Sequence, residues 1–151
     1  MAKSKHDWNS KENYYQVHFR VLKTISWKFI NPPVSYSHLV FTDQYERLEI
    51  KKALFKTDKG TIVDIKIEKD IEIDRSFAKP RARTFGYSYQ AKRPSPDGRV
   101  LVRYDSPHED HRPFHHKHTF DENGTELKIQ KIEDGVWPHL SEFFEEVSKS
   151  F

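Results

Sequence analysis

Residues 61–73 read TIVDIKIEKDIEI. Val63, Ile65, Ile67, Ile71 and Ile73 alternate with Asp64, Lys66, Glu68, Asp70 and Glu72. A period of two with one apolar and one charged face describes a strand buried on one side only, the habit of antiparallel sheets. Downstream, Phe85, Tyr87 and Tyr89 alternate in the same way. Asp97-Gly98 then offers a tight turn, and Val100, Val102 and Tyr104 resume the alternation, which predicts a hairpin. Asn123-Gly124 predicts a second hairpin between residues 116–120 and 127–132. Upstream, shorter strands are expected at 34–42 and 46–55.

Helices flank this meander. Tyr14, His18, Val21, Leu22, Ile25 and Phe29 recur at spacings of three and four, predicting a helix over residues 11–30. Asn9 with Glu12 fits a capping box, and Asn31-Pro32-Pro33 stops the run. A last helix is expected from Pro138, carrying Leu140, Phe143, Phe144 and Val147. His18 is expected on the buried stripe, Trp27, Phe29 and Trp137 in helix packing or core, and His38 and His139 in no constellation. The fold class is therefore α+β: an antiparallel sheet of about five to six strands with N- and C-terminal helices packed on one face. One domain spanning 1–151 is expected, with residues 1–8 disordered.

Composition narrows the function classes. The chain has 151 residues and only 35% hydrophobic residues, yet 11 Phe, seven Tyr and three Trp give it the bulk that disordered chains lack. No apolar run approaches the roughly 20 residues a bilayer requires, and no apolar stretch follows the N-terminal lysines, so a cytoplasmic protein without membrane contact is expected. The absence of cysteine excludes disulfides and thiolate metal sites. Net charge is only +3, but residues 75–118 hold ten Lys/Arg against four Asp/Glu. A basic segment threaded with aromatic rings suits a polyanion, since cations release counterions and rings stack bases. A solvated basic face is the plainer explanation of the charge alone.

Read as a two-residue turn, Asp97-Gly98 sets Arg103 opposite Lys92 and Asp105 opposite Gln90. Ser88, Gln90, Lys92, Arg103 and Asp105 then share one face, with Phe85, Tyr87, Tyr89, Val102 and Tyr104 on the other. Asn123-Gly124, read the same way, sets Phe120 opposite Leu127, His118 opposite Ile129 and His116 opposite Lys131, with Lys117 on the reverse face. Five of the nine histidines lie within residues 108–118: His108, His111, His115, His116 and His118. Three readings of this cluster stand. His116 and His118 beside Arg103, Asp105 and His108 suit metal-free RNA cleavage, one imidazole taking the 2′-hydroxyl proton and another protonating the leaving oxygen. His-x-His with Asp105 and His108 suits a divalent ion. A pH-sensitive loop that binds phosphate or a partner needs no chemistry at all.

The run Tyr87-Ser88-Tyr89-Gln90, then Asp97-Gly98, then Arg103-Tyr104-Asp105-Ser106-Pro107-His108, then His115-His116-Lys117-His118 resembles the TumE-like toxin family of prokaryotic type II toxin–antitoxin systems. The resemblance covers about residues 84–147. It departs from the family pattern at Ser106-Pro107, where Asn-Ala-Pro is usual, and at Glu109, where a second histidine is common. The resemblance implies a toxin with a cognate antitoxin, expected over residues 103–118, and RNA as substrate. By motif position it implies that Arg103, Asp105, His108, His116, Lys117 and His118 form the site. The resulting expectation is an endoribonuclease without cofactor or metal, with His116 and His118 as the acid–base pair. Arg103 and Lys117 stabilise phosphate charge, Asp105 orients an imidazole or Arg103, and His108 assists. Lys92, Arg93, Arg99, Arg112 and Gln90 are expected to bind the RNA. A non-catalytic nucleic-acid- or partner-binding module is the alternative, and a metal-dependent nuclease the third reading.

Overall fold

The computed structural model describes residues 6–30, 35–107, 114–133 and 135–151. Its strands are β1 (Asn9–Ser10), β2 (Ser37–Val40), β3 (Tyr45–Lys56), β4 (Ile62–Asp74), β5 (Arg81–Lys92), β6 (Val100–Asp105), β7 (His115–Phe120) and β8 (Glu126–Ile132). β2 to β8 form a continuous antiparallel meander in chain order, and β1 pairs with the start of β5. The sheet thus holds eight strands rather than five or six. The strand expected at 34–42 forms as β2, whereas β1, only two residues long, carries no alternation that could announce it.

Two helices, α1 (Lys11–Thr24) and α2 (Leu140–Ser150), cover one face. α1 starts on Ser10, whose Oγ accepts from the Asn13 N–H at 3.1 Å; Asn9 is not the cap. It stops six residues before the expected end. Ser26 Oγ donates to the Lys23 carbonyl at 2.9 Å, and the chain tightens into a 3₁₀ turn at Ser26–Lys28. Phe29 then bridges to Phe55 on β3, while Trp27 points outward and is 75% exposed, not packed as expected. Of residues 1–8, His6 to Trp8 fall among the described residues, and His6 Nε2 bonds the Trp137 carbonyl at 2.7 Å.

The alternation of β4 governs the packing. Val63, Ile65, Ile67, Ile71 and Ile73 are almost wholly buried beneath the helices, with Tyr89, Phe143, Phe144 and Val147 among their companions. Removing that much apolar surface from water is the main stabilising term. Near Asp70 the ladder slips by one residue, leaving Phe85 out of the pairing and 51% exposed. Phe85 therefore leaves the core row and packs edge-on against Tyr45, ring centroids 5.3 Å apart. Space beside the slip is tight, since a Cβ added at Gly86 would stand 3.3 Å from Asp70 Oδ2.

Both hairpins form, with different fidelity to the expected register. β6 pairs two residues away from expectation: Arg103 faces Gln90 and Asp105 faces Ser88. The loop explains the slip. Arg93 N–H donates to the Arg99 carbonyl at 2.7 Å, so residues 94–98 form the turn instead of Asp97-Gly98 alone. A slip of two keeps every side chain on its face. β7 and β8 pair as expected at His118–Ile129 and His116–Lys131, while Phe120 meets Glu126 across a bulge instead of Leu127.

Candidate functional site

The face of the sheet opposite the helices gathers Ser88 and Gln90 from β5, Arg103 and Asp105 from β6, and His116 and His118 from β7. Cross-strand pairing puts Arg103 beside His118 and Asp105 beside His116. Pairing at this spacing brings side chains on adjacent strands within reach of one another. Asp105 Oδ2 is the centre. Arg103 Nε lies 2.8 Å from it, His118 Nε2 3.3 Å and His116 Nε2 3.7 Å. The imidazole rings stand 4.9 Å apart, nearly perpendicular.

The outer nitrogens are also held. His116 Nδ1 donates to the Phe114 carbonyl at 2.9 Å, and His118 Nδ1 bonds Glu126 Oε1 at the start of β8. Because a carbonyl only accepts, His116 carries its hydrogen on Nδ1 and turns Nε2 toward Asp105. Access differs across the group. His116 is wholly buried and Asp105 almost so, His118 reaches the surface at one edge, and the side chains of Arg103 and Glu126 are 42% and 43% exposed. A ligand on this face meets Arg103, Glu126 and the edge of His118; His116 stands behind them.

Chemically, the cluster can move a proton through His118 between two carboxylates and neutralise an anion with Arg103. It can also hold a cation. One ligand atom each from Asp105, His116 and His118 falls within 4.8 Å of the others. Both histidines have the opposite ring nitrogen on an oxygen, the support that metal-ligating imidazoles receive.

The remaining expected residues distribute as follows. Lys117 is corrected: it projects from the helix-covered face, bonds Glu146 of α2 at 2.9 Å and lies 5.3 Å over the Tyr104 ring. Strand alternation puts it behind the sheet from His116 and His118, out of reach of a phosphate there. Gln90 lies next to Arg103, and Lys92 sits at the end of β5 across from Asp64. Arg93 is at the root of the hairpin loop. Arg99 is clasped by Asp97 through Nε at 2.6 Å and Nη2 at 2.7 Å, with Nη1 on the Glu122 carbonyl. His108 and Arg112 lie outside the described residues.

Two groups escaped the sequence reading. Glu126 joins His118 because the bulge beside the Asn123-Gly124 turn draws the start of β8 toward β7. Lys69 stands in the core row of β4, 2% exposed, with Nζ 2.6 Å from His18 Nε2. Its signal was present: a lysine at the parity of Ile67 and Ile71 occupies a position where the pattern demands an apolar residue.

No helix among the described residues is long and apolar enough to cross a membrane. No curated protein and no solved structure matches the chain. A family model described as Toxin TumE matches residues 32–151, from β2 through α2, a longer span than the motif resemblance alone covers. The Arg103–Asp105 and His115–His118 strands lie inside that match, and the chain belongs to the TumE toxin family.

Proposed function

We propose that this protein is the toxin of a toxin–antitoxin pair and that it cleaves RNA phosphodiester bonds on the open face of its sheet. The observation that carries this reading is the convergence of Arg103, His116 and His118 on the Asp105 carboxylate, with Arg103 half-exposed and one edge of the buried His118 reaching solvent. His118 takes the proton of a ribose 2′-hydroxyl. The 2′-oxygen attacks phosphorus, and the bond to the 5′-oxygen breaks. The imidazolium returns the proton to that leaving oxygen, giving a 2′,3′-cyclic phosphate and a 5′-hydroxyl. Glu126 on Nδ1 steadies the imidazolium, Nε2 carries the transferred proton, Asp105 orients the ring from 3.3 Å, and Arg103 offsets the charge that grows on phosphorus. His116, enclosed, acts as a positioning residue for Asp105 in place of the second acid–base group.

A second reading is favoured by one observation, the metal-compatible spacing of Asp105, His116 and His118. In that reading the three hold a divalent ion, and Arg103 binds the phosphate. Incubating labelled RNA with purified protein in EDTA, then in magnesium, manganese or zinc, separates the two. Cleavage in EDTA that leaves cyclic phosphate ends, and falls roughly 10²–10⁴-fold in His118→Ala, supports proton transfer. Cleavage restored only by metal supports the second reading. RNA bound but intact in every buffer overturns both and leaves a binding module.

A further inference from the structure

The helix-covered face holds a titratable cluster that the open face does not use. Lys69 Nζ donates to His18 Nε2 at 2.6 Å, and His18 Nδ1 donates to the Tyr14 carbonyl at 2.8 Å. Tyr14, Tyr89 and Trp137 ring the amine, with centroids 5.9, 5.9 and 6.0 Å away. Among the described residues no carboxylate forms an ion pair with Lys69. Burial pushes the amine down to about 7; burial and then the nearby Lys69 push His18 down to about 3. A lysine enclosed without a counter-charge is costly to the fold, and such groups gather where ligands are handled.

The cluster is not sealed. A cavity of about 90 Å³ reaches it, with Lys69, His18, His6, His139, Asn9 and Thr84 on its walls. It shares His6, Asp7 and Thr84 with a cleft of about 430 Å³ whose other walls include Phe85, His115 and Trp137. The charged and titratable groups facing Lys69 and His18 are Tyr14 from α1, His6 and Asp7 ahead of β1, Tyr89 from β5 and His139 at the head of α2. Among the described residues lining that cavity only Asp7 is acidic, and it is exposed. The floor is basic, the rim polar, and the outer cleft half aromatic.

We propose that this cleft is a second ligand site that takes the phosphate monoester of a nucleotide, with the phosphate on Lys69 and the base in the outer cleft. The assignment stands on its own geometry and does not rest on RNA cleavage at the opposite face. The phosphate supplies the negative charge that the enclosed amine lacks; Lys69 takes up a proton and donates to its oxygens. Thr84 and Asn9 add neutral polar groups at the rim. The outer cleft is of the size that nucleoside-sized ligands occupy. Phe85, displaced from the core row by the bulge in β5 and 51% exposed, forms one aromatic wall of the outer cleft and Trp137 another.

Calorimetric titration with adenosine 5′-monophosphate, adenosine and inorganic phosphate tests the site. The monophosphate is expected to bind at least about tenfold more tightly than adenosine, and its affinity to fall about tenfold per pH unit as the pH rises above 7. Lys69→Met is expected to lose that binding while melting at the same or a higher temperature, because an apolar side chain suits the row. Lys69→Gln, which keeps a polar group, repeats the test if the methionine variant misfolds. A His116→Ala/His118→Ala double variant retains the binding. Competition by a 5′-phosphorylated but not a 5′-hydroxyl oligoribonucleotide makes an RNA end the source of the phosphate; competition by neither makes it a free nucleotide. Equal affinity for monophosphate and adenosine, wild-type binding by both Lys69 variants, or loss of binding in the histidine double variant overturns the proposal.

Discussion

Two clusters of titratable side chains lie back to back across one sheet, and they manage charge in opposite ways. On the open face, Asp105 answers Arg103, His116 and His118, and Glu126 answers His118 from the far side. Beneath the helices, Lys69 meets a histidine and three aromatic rings, and burial drives the amine toward its neutral form. Charge is matched by charge on one side and suppressed by desolvation on the other. Matching leaves a polar face with a half-exposed guanidinium at its edge. Suppression leaves an amine that gains most when an anion arrives.

Substitution of the central carboxylate breaks the comparison most sharply. Asp105→Asn strips three cationic or imidazole neighbours of their shared acceptor, and RNA cleavage is expected to fall roughly 10³–10⁴-fold, read as the initial rate on a labelled substrate. A stability loss of about 3 kcal/mol in urea unfolding accompanies it, because breaking a buried pair leaves uncompensated charge. An Asp105→Asn protein that cleaves at the wild-type rate would remove the site from that face.

The covered cluster predicts a pH effect of its own. Lys69 titrates near 7 in the folded chain against 10.5 when unfolded, so the unfolded state binds more protons between those values. Stability due to Lys69 therefore rises with pH from 7 toward 10, by up to about 1.4 kcal/mol per unit. His18, depressed from 6.5 to about 3, acts in the same sense at lower pH, so that stability is lost as pH falls through that window. Glu46 adds to the acid sensitivity. Burial alone would raise its carboxyl, but hydrogen bonds from Lys11, Tyr15 and His38 hold it at about 2, and the resulting stability is lost as pH falls from 4.5. The difference between the denaturant midpoints of wild type and Lys69→Met should grow as pH falls from about 10 to 7 and change little below 7; parallel curves between pH 7 and 10 would show that Lys69 does not titrate as described.

Lys117→Ala is expected to have the smallest effect. The Lys117–Glu146 pair is partly exposed, so its loss costs about 0.5 kcal/mol and leaves RNA cleavage unchanged. A large drop in cleavage would mean that the two faces communicate.

These contrasts also mark what could be read from the chain beforehand. Alternation gives faces, and faces survive even slips: Arg103 and Asp105 land together although their partners on β5 are each two residues away from expectation. The His116 and His118 register comes out as expected although the turn is longer than two residues: the Asp121 N–H donates to the Thr125 carbonyl, and the bulge at Thr119/Phe120 restores the pairing. Loop length is not written so plainly, and the five-residue turn at 94–98 has no two-residue signature. Nor is a one-residue slip, which is why Phe85 stands outside while patterning alone would bury it, and the early end of α1 does the same to Trp27. The helix-covered cluster was legible in part, as a lysine out of place among isoleucines. Its partners were not, since His18 comes from α1, 51 residues earlier. His38, assigned to no constellation, bonds Glu46 across the β2–β3 hairpin at 2.6 Å; the distant partner there is Tyr15 of α1, which also bonds Glu46.

Arg99 has a mechanical consequence for the open face. Its guanidinium spans the tips of two successive hairpins, fixed to Asp97 in one and to the Glu122 carbonyl in the other. Gly124 leaves room for it, since an added Cβ there would stand 3.0 Å from Arg99 Cγ. Two hairpins pinned at their tips shear and twist as a single plate. The residues around Asp105 are spread over three strands of that plate, so their spacing is set from its far end, like the jaws of a clamp whose pivot lies away from the grip. Loosening the pivot with Arg99→Ala should speed amide hydrogen exchange along β6 and β7 together.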